Sequence, residues 1–264
     1  MKYCLRRIIS FFLCAVALST LLLGCSENRD DQTADLPDLV IGSGIFTPYF
    51  YLDETGHYTG IDVDIATEAC RRIGYEPVFK EITWTEKDTL LDEGSVDCLW
   101  ACFSMNGRED LFQWAGPYAY DRQVVAVLSG STIQTLADLE DKKVAVQMNS
   151  KPQQFFLDRL GDHIPEVKTI FSLYDIDEIV SALRREYVDA CAGHEAALLH
   201  ALDDAGVSYR LLEEPLLISQ TGVAFSLDHN SGVCQKLDAA LEQMRQDGTI
   251  ARILLSYGLG TGGA

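Results

Sequence analysis

Lysine and arginine are the side chains with which this sequence could bind a small anion, and they are scarce. The 264-residue chain carries 21 Lys and Arg against 40 Asp and Glu, a formal net charge of −19 at pH 7. A chain this acidic repels a phosphate backbone, so nucleic acid is excluded as a partner. Any cation that an anionic ligand needs must be placed locally. Arginine suits a carboxylate best, because its guanidinium donates two parallel hydrogen bonds.

Cysteine is the second residue type with chemistry to offer. The five cysteines beyond residue 25 are Cys70, Cys98, Cys102, Cys191 and Cys234. An odd count without a CxxC pair is a poor disulfide framework, and the apolar runs and helical patterns around these residues favour buried free thiols. Metal binding by Cys98, Cys102 and the distant His194 is an alternative that the spacing does not require. We predict neither a metal nor a cofactor.

Catalytic patterns are not apparent. The sequence shows no nucleophile beside a base, no pair of catalytic carboxylates, no phosphate-binding loop and no dinucleotide glycine motif. The sequence therefore favours a binding protein over an enzyme.

The N-terminal segment has the pattern of an export signal. Lys2, Arg6 and Arg7 precede a charge-free apolar run over residues 8–23, which ends at Gly24. The run of about sixteen residues is shorter than the roughly 20 that a transmembrane helix needs. We predict a signal peptide over residues 1–24 and a soluble remainder.

Cys25 decides how that segment ends. The sequence Leu22-Leu23-Gly24-Cys25 resembles the bacterial lipobox, which implies cleavage before Cys25 and a diacylglyceryl lipid, with palmitate among its acyl chains, on the thiol. The alternative is a chance cysteine beside an ordinary cleavage site. Residues 25–38 are predicted to form a flexible tether. Because two acyl chains hold a protein stably on a membrane, we expect an exported protein anchored to the outer face of the cell membrane.

The rest of the chain alternates between strand and helix patterns. Its 240 residues, 264 minus 24, favour two lobes over a single core. Hydrophobic periodicity predicts strands over residues 39–41, 78–82, 96–101, 124–128, 144–146, 190–192 and 223–225. It predicts helices over about 65–74, 86–93, 176–183, 195–205 and 233–244. This alternation implies α/β lobes with parallel sheets, whose ligands bind at the carboxyl ends of strands.

A series of short motifs occurs in the same order as in a known family. The motifs are Pro48-Tyr49, Gly60 to Ala66, Gly94 to Asp97, Arg108-Glu109-Asp110, Trp114 to Tyr118, Val144 to Gln147, Val188-Asp189-Ala190 and Asp247-Gly248-Thr249. Together they resemble the extracellular solute-binding proteins of family 3, collinearly from about residue 39 to residue 257. That family is dominated by amino-acid receptors of ATP-driven importers.

The resemblance implies a type II periplasmic-binding-protein fold, with two α/β lobes, two crossing hinge strands and a ligand in the interlobe cleft. Lobe 1 is expected to comprise residues 36–120 and 222–264, and lobe 2 residues 121–221. The crossings are expected near residues 118–123 and 220–224. The implied partners are an amino acid and a membrane permease of the ABC type, and we expect a monomer.

The resemblance also implies a carboxylate site in the loop of residues 101–108. There the family places main-chain amides, a hydroxyl and an arginine around the ligand's α-carboxylate, and Ala101, Cys102, Ser104 and Arg108 match those positions. The spacing from Ser104 to Arg108 is one residue shorter than usual. The alternative for Arg108 is a surface ion pair with one of the two acidic residues that follow it.

In lobe 2, the start of a predicted helix supplies further candidates. Ser150 fits a helix N-cap and Pro152 the first turn, so main-chain amides there can bind an anion. Lys151 stands where the family usually has threonine. It is either a cation added to the cleft or a solvated lysine, and the sequence does not separate the two.

Three aromatic residues and a polar pair complete the predicted site. The family packs the ligand side chain between aromatics at the positions of Phe46, Tyr49 and Trp84, although core packing is the alternative for Tyr49. Where the family often has an aspartate for the ligand's ammonium, this chain has His194, followed by Glu195. A neutral imidazole accepts only a weaker hydrogen bond from an ammonium than a carboxylate does. Either Glu195 substitutes, or the ligand is not a standard α-amino acid.

Two other functions remain open beside a receptor for an amino acid or amino-acid-like solute. The fold resembles that of cyclohexadienyl dehydratase, in which a cleft carboxylic acid assists loss of water, and Glu195 would have to be that acid. A sensory input module is usually fused to a transmembrane helix and a kinase. The sequence ends at Ala264 with neither, so we expect the sensory function less.

Overall fold

The computed structural model describes residues 36–160 and 165–259. The predicted signal peptide, the lipid site at Cys25 and most of the predicted tether lie outside the described residues. Asp38, predicted as the last tether residue, is instead the first residue of a strand. Among the described helices, none combines the length and the apolar character that a membrane span needs.

The first lobe is built on three parallel strands. Strands β1 to β5 are Asp38–Ser43, Tyr51–Leu52, Tyr58–Thr59, Glu76–Glu81 and Cys98–Ser104, and helices α1 and α2 are Ile61–Ile73 and Lys87–Asp92. Strand β1 lies between β4 and β5 and runs parallel to both. Strands β2 and β3 form a separate antiparallel pair.

The second lobe repeats this plan. Strands β6 to β10 are Gln113–Leu128, Lys143–Gln147, Thr169–Leu173, Ala190–His194 and Tyr209–Leu211, and helices α3 to α5 are Lys151–Asp158, Ile176–Arg184 and Glu195–Asp204. Strand β7 lies between β8 and β9 and runs parallel to both. The chain then returns through β11, Leu217–Phe225, to the helices α6, Ser231–Gln246, and α7, Thr249–Ser256.

Two long antiparallel strands connect the lobes. Strand β6 pairs with β11 along residues 113–123 and then with β9 and β10 of the second lobe. Strand β11 pairs with β5 of the first lobe as well. One sheet therefore runs in the order β4-β1-β5-β11-β6-β9-β7-β8. The predicted two-lobed fold with two crossing strands is confirmed, while the residue limits of the lobes stay a prediction.

The strand directions differ in part from the expectation of parallel sheets. Parallel pairing holds inside each lobe, but β6, β10 and β11 pair antiparallel. The reason is that β6 leaves the first lobe and β11 returns to it, so the two crossings run in opposite directions.

Local sequence explains how these elements are placed. Ile61, Ile65 and Ala69 lie at helical spacing on the buried face of α1. The helix ends, as predicted, at Gly74, whose φ of 76° is left-handed and costs glycine little. In β7, Val144 and Ala145 pack into different clusters on opposite faces of the sheet, which explains the continuous apolar run.

Candidate functional site

A cleft between the lobes is the candidate ligand site. Its empty volume, open solvent included, is about 470 Å³. The first lobe lines it with Gly44, Ile45, Phe46, Trp84, Ala101, Cys102, Phe103, Ser104 and Arg108, and the second with Gln147, Asn149, Ser150, Lys151 and His194. These residues lie near or after the carboxyl ends of β1, β4, β5, β7 and β9, where parallel strands commonly present ligand contacts. All the predicted site residues except Tyr49 and Glu195 line the cleft, and their contacts with ligand stay a prediction.

Arg108 points into the cleft. Its guanidinium donates to the main-chain oxygens of Ser104, at 3.1 Å, and Asn149, at 3.3 Å. The guanidinium carbon lies 4.9 Å from the centre of the Phe103 ring. Burial lowers the pKa of Arg108, against the opposing charge of Asp88, but an arginine stays charged in proteins. A charged and partly desolvated guanidinium is well suited to bind a carboxylate.

A buried carboxylate holds the loop that carries Arg108. The N–H of Cys102 donates to one oxygen of Asp62 at 2.6 Å, and the Tyr118 hydroxyl donates to the other at 2.8 Å. Cys102 has a φ of 49°, a conformation that side chains other than glycine rarely adopt. Burial raises the pKa of Asp62 to about 7, although both hydrogen bonds lower it. Asp62 therefore has a structural role, because it holds the main chain at Cys102.

Ser104, the predicted hydroxyl ligand, is tied to a crossing strand. It is 2% exposed; its Oγ donates to Asn106 Oδ1 at 3.3 Å and accepts from Ser219 Oγ, on β11, at 3.1 Å. A hydroxyl has one proton. Ser104 must therefore turn away from Asn106 if it is to donate to a ligand carboxylate.

Lys151 lies in the cleft and not in solvent. It is 5% exposed and is the first residue of α3. Its Nζ donates to Gln154 Oε1 at 2.8 Å. A Cβ added to Gly107, in the first lobe, would lie 2.9 Å from this nitrogen. Burial and then the charge of Arg108 lower the pKa of Lys151, so two cations from different lobes face the same space.

The turn before α3 has the predicted helix start. Ser150 is the N-cap, and its Oγ accepts from the N–H of Gln153 at 3.3 Å. Asn149, with a φ of 58°, makes the turn in the left-handed region. Pro152 lies in the first helical turn, as predicted.

His194 is held in a buried polar cluster. Its Nδ1 lies 2.6 Å from Asp121 Oδ2, 2.9 Å from Gln123 Nε2 and 3.4 Å from Cys102 Sγ. The Tyr49 hydroxyl donates to the other Asp121 oxygen at 3.1 Å. One ring nitrogen carries at most one proton, and we assign that proton to the shortest contact, from Nδ1 to Asp121. Asp121 is therefore occupied by two donors.

Glu195 is not among the residues that line the cleft. It is the first residue of α5, and its Oε1 lies 2.8 Å from Arg122 Nη1. The two side chains are 25% and 42% exposed. Binding a ligand ammonium would require Glu195 to leave Arg122. The expected role of Glu195 as the partner of a ligand ammonium stays a prediction.

The predicted aromatics take different positions. Phe46 lines the cleft edge-on to the His194 ring, with centroids 5.5 Å apart, and Trp84 lies edge-on to Phe103 at 5.0 Å. Tyr49 is 4% exposed and stacks on Phe46 from behind, with centroids 5.8 Å apart. Phe46 and Trp84 can contact a ligand, whereas Tyr49 supports the wall.

A metal site was an open alternative for Cys98, Cys102 and His194. In the described part of the chain, the group with three potential metal-binding atoms within 4.8 Å of one another is Cys102, Asp121 and His194. Cys98 is buried elsewhere in β5. Burial, and then the charges of Asp121 and Asp62, raise the pKa of the Cys102 thiol well above its usual value. His194 Nδ1 contacts both of the other side chains in this group. All five predicted free thiols are free and buried.

Several cleft residues were missed by the sequence analysis. They are Gly44, Ile45, Phe103, Gln147 and Asn149. Gly44 and Gln147 stand at the carboxyl ends of predicted strands, which was a usable signal. Asp121 lies within β6 and had no local signal, because only the fold brings it beside His194.

The fold and the cleft define a two-lobed solute-binding protein. The model of the bacterial extracellular solute-binding proteins, family 3, matches residues 39–260, and the chain belongs to that family. The probable amino-acid-binding protein YxeM of Bacillus subtilis is 24% identical over 250 residues, 93% of each chain. The glutamate-binding protein GluB of Corynebacterium glutamicum is 29% identical over 212 residues, 74% of this chain and 70% of GluB.

Solved structures share the fold. Tv2483 bound to L-arginine matches with a TM-score of 0.74 and 29% identity, over 85% of this chain and 92% of Tv2483. The ancestral amino-acid-binding protein AncCDT-1, a precursor of cyclohexadienyl dehydratase, has a TM-score of 0.72 over 83% of this chain and 95% of its own. At 20% identity this second likeness shows the fold alone. GluB and Tv2483 are described with ligands of opposite charge, so family membership does not set the ligand's charge.

Proposed function

We propose that the protein is the ligand-capturing component of an ATP-driven importer for an amino acid or amino-acid-like solute. The observation that carries this proposal is the cleft, into which Arg108 projects from one lobe and Lys151 from the other. A solute that touches both lobes favours their closed arrangement. Micromolar capture requires about −8 kcal/mol in total.

The binding mode follows from the first-lobe loop. The ligand's α-carboxylate lies on the guanidinium of Arg108, with the main-chain N–H groups near Ala101 and the Ser104 hydroxyl as further donors. Phe46 and Trp84 pack against the rest of the ligand. Ser150 and Lys151 contact it from the second lobe when the lobes close.

The same proposal covers the partner and the location. The closed, loaded protein delivers its solute to a membrane permease of the ABC type, as relatives named for amino-acid binding and transport suggest. A lipid on Cys25 keeps the protein at the outer face of the cell membrane as a monomer. The support for this anchor is the N-terminal sequence, with its charged start, apolar run and Leu-Leu-Gly-Cys ending.

Binding without turnover is favoured by the state of the nearby carboxylates. A cleft dehydratase needs a carboxylic acid that reaches the ligand. Glu195 pairs with Arg122, and Asp121 accepts from Tyr49 and contacts His194. The described residues that line the cleft include neither Asp nor Glu.

A thermal-shift screen against amino acids, small peptides and carboxylates tests the proposal. A ligand at 100 times its Kd should add about 2.7 kcal/mol to the free energy of unfolding. We expect at least one amino acid or amino-acid-like carboxylate to raise Tm, and to be recovered unchanged. A screen in which no such compound shifts Tm, or in which the compound is converted, would overturn the proposal.

A further inference from the structure

The described residues that line the cleft include basic side chains but no acidic ones, neither Asp nor Glu. Arg108 and Lys151 are the arginine and the lysine among those residues. A zwitterionic amino acid brings one carboxylate together with one ammonium. It would therefore leave one cation unpaired in a closed cleft, and an unpaired buried charge is costly.

Groups around the two cations do not neutralise them. Arg108 donates to main-chain oxygens and Lys151 to an amide oxygen, and all of these acceptors are uncharged. Glu109 and Asp158 face Lys151, and Asp88 faces Arg108. Each carboxylate raises the pKa of the cation that it faces, whereas burial lowers it. The net pKa of each cation is still lowered, so the carboxylates offset the effect of burial only in part.

Nearby carboxylates are engaged elsewhere. Asp121 accepts from the Tyr49 hydroxyl and lies 2.6 Å from His194 Nδ1, and Glu195 pairs with Arg122. Among the described residues that line the cleft, an ammonium would find the ring of His194 and no carboxylate.

We infer that the cleft selects a small solute with two carboxylates, one bound by Arg108 and the other by Lys151. This inference rests on the proposed function and adds the class of the solute. Because the two cations line the same cleft, both carboxylates belong to one small molecule. Acidic amino acids and simple dicarboxylic acids share this chemistry.

Calorimetry on the whole protein with four solutes of similar length tests the inference. The solutes are L-glutamate, glutarate, L-glutamine and L-arginine. We expect L-glutamate or glutarate to bind at least tenfold more tightly than L-glutamine, and L-arginine to bind most weakly. If L-glutamate binds more tightly than glutarate, the natural ligand class is acidic amino acids. If glutarate binds more tightly, the class is simple dicarboxylic acids.

Substitutions at Lys151 test whether this residue binds the second carboxylate. Lys151→Met should weaken dicarboxylate binding ten- to a hundredfold and leave L-glutamine within threefold, whereas Lys151→Arg should keep the preference. Lys168→Met, at an exposed lysine of the same lobe, is the matched control and should change nothing. Equal losses for L-glutamate and L-glutamine would mean that both cations hold one carboxylate, which overturns the inference.

The screen separates this inference from the proposed function. If a neutral or basic amino acid binds as tightly as the dicarboxylates, or is the ligand that the screen finds, the receptor function stands and the inference fails. If no amino acid or amino-acid-like carboxylate binds at all, the proposed function fails first.

Discussion

Arg108 of the first lobe donates to the main-chain oxygen of Asn149 in the second across 3.3 Å. This is a long hydrogen bond to an uncharged acceptor. A carboxylate that carries a full charge is a better acceptor for the same nitrogen. We therefore expect ligand entry to replace this weak contact between the lobes with a stronger one to a molecule that both lobes touch.

The first prediction concerns Arg108. Arg108→Ala should weaken ligand binding roughly ten- to a hundredfold, because losing a charged hydrogen-bond partner costs about 1.5–3 kcal/mol. Calorimetry with the ligand from the screen measures the change. Arg71→Ala is the control, because its side chain is 70% exposed and pairs with Glu68 on the surface of α1. Equal affinity in the wild type, Arg108→Ala and Arg71→Ala would show that Arg108 does not contribute to ligand binding.

The second prediction separates two carboxylates that lie near His194. Asp121→Asn should weaken binding severalfold, because it removes the charged partner that orients His194. Glu195→Gln should leave affinity within threefold, since Glu195 pairs with Arg122 outside the cleft. Titration of both variants with the same ligand checks the order. A large loss of affinity in Glu195→Gln, with no loss in Asp121→Asn, would show that Glu195 contributes to ligand binding and Asp121 does not.

The third prediction is a pH dependence from Asp62. Burial raises its pKa from 3.8 to about 7, so the folded state binds a proton more tightly than the unfolded state. The stability from that proton is present below about pH 4 and is lost as the pH rises to 7. Between pH 5.5 and 8.5 the free energy of unfolding of the wild type should fall by about 2 kcal/mol relative to Asp62→Asn.

Urea unfolding of both proteins at the two pH values measures this difference. Asp92→Asn, at an exposed position of the first lobe, controls for the loss of any carboxylate. Parallel pH profiles for the wild type and Asp62→Asn would show that Asp62 is ionised in the folded protein throughout this range.

The fourth prediction concerns the anchor. Cys25→Ala should release the protein from the membrane fraction, because the lipid has no thiol to attach to. Cys14→Ala, within the predicted signal peptide, should leave the protein membrane-bound. Cell fractionation with detection of the protein in each fraction distinguishes them. Retention of Cys25→Ala in the membrane would contradict lipidation at this residue.

The fold could be predicted from the sequence because the patterns that indicate it are local. Periodicity indicated the alternating elements, and eight collinear motifs indicated their arrangement. The antiparallel pairing of β6 and β11 was not foreseen, because a strand that crosses between lobes has no distinct pattern of its own. The match to the family model over residues 39–260 confirms the resemblance.

The site was less predictable than the fold. Loop residues such as Ser104 and Arg108 could be proposed from their place in a motif. The burial of Lys151 depends on the opposite lobe, so the sequence could not decide between cleft and solvent. Asp121 and His194 are 73 positions apart, and their contact depends on the pairing of β6 with β9. The pairing of Glu195 with Arg122 depends on the same register.

Mass spectrometry of the recovered compounds distinguishes a receptor from a cleft enzyme. The protein is incubated with the tightest ligand of the screen and, in parallel, with prephenate and arogenate, and all three compounds are followed by mass spectrometry. We predict that one ligand molecule binds per chain and is recovered chemically intact, and that Arg108→Ala binds it roughly ten- to a hundredfold more weakly. Conversion of any of these compounds by the wild type, abolished by Glu195→Gln, would contradict the receptor function and indicate a cleft enzyme.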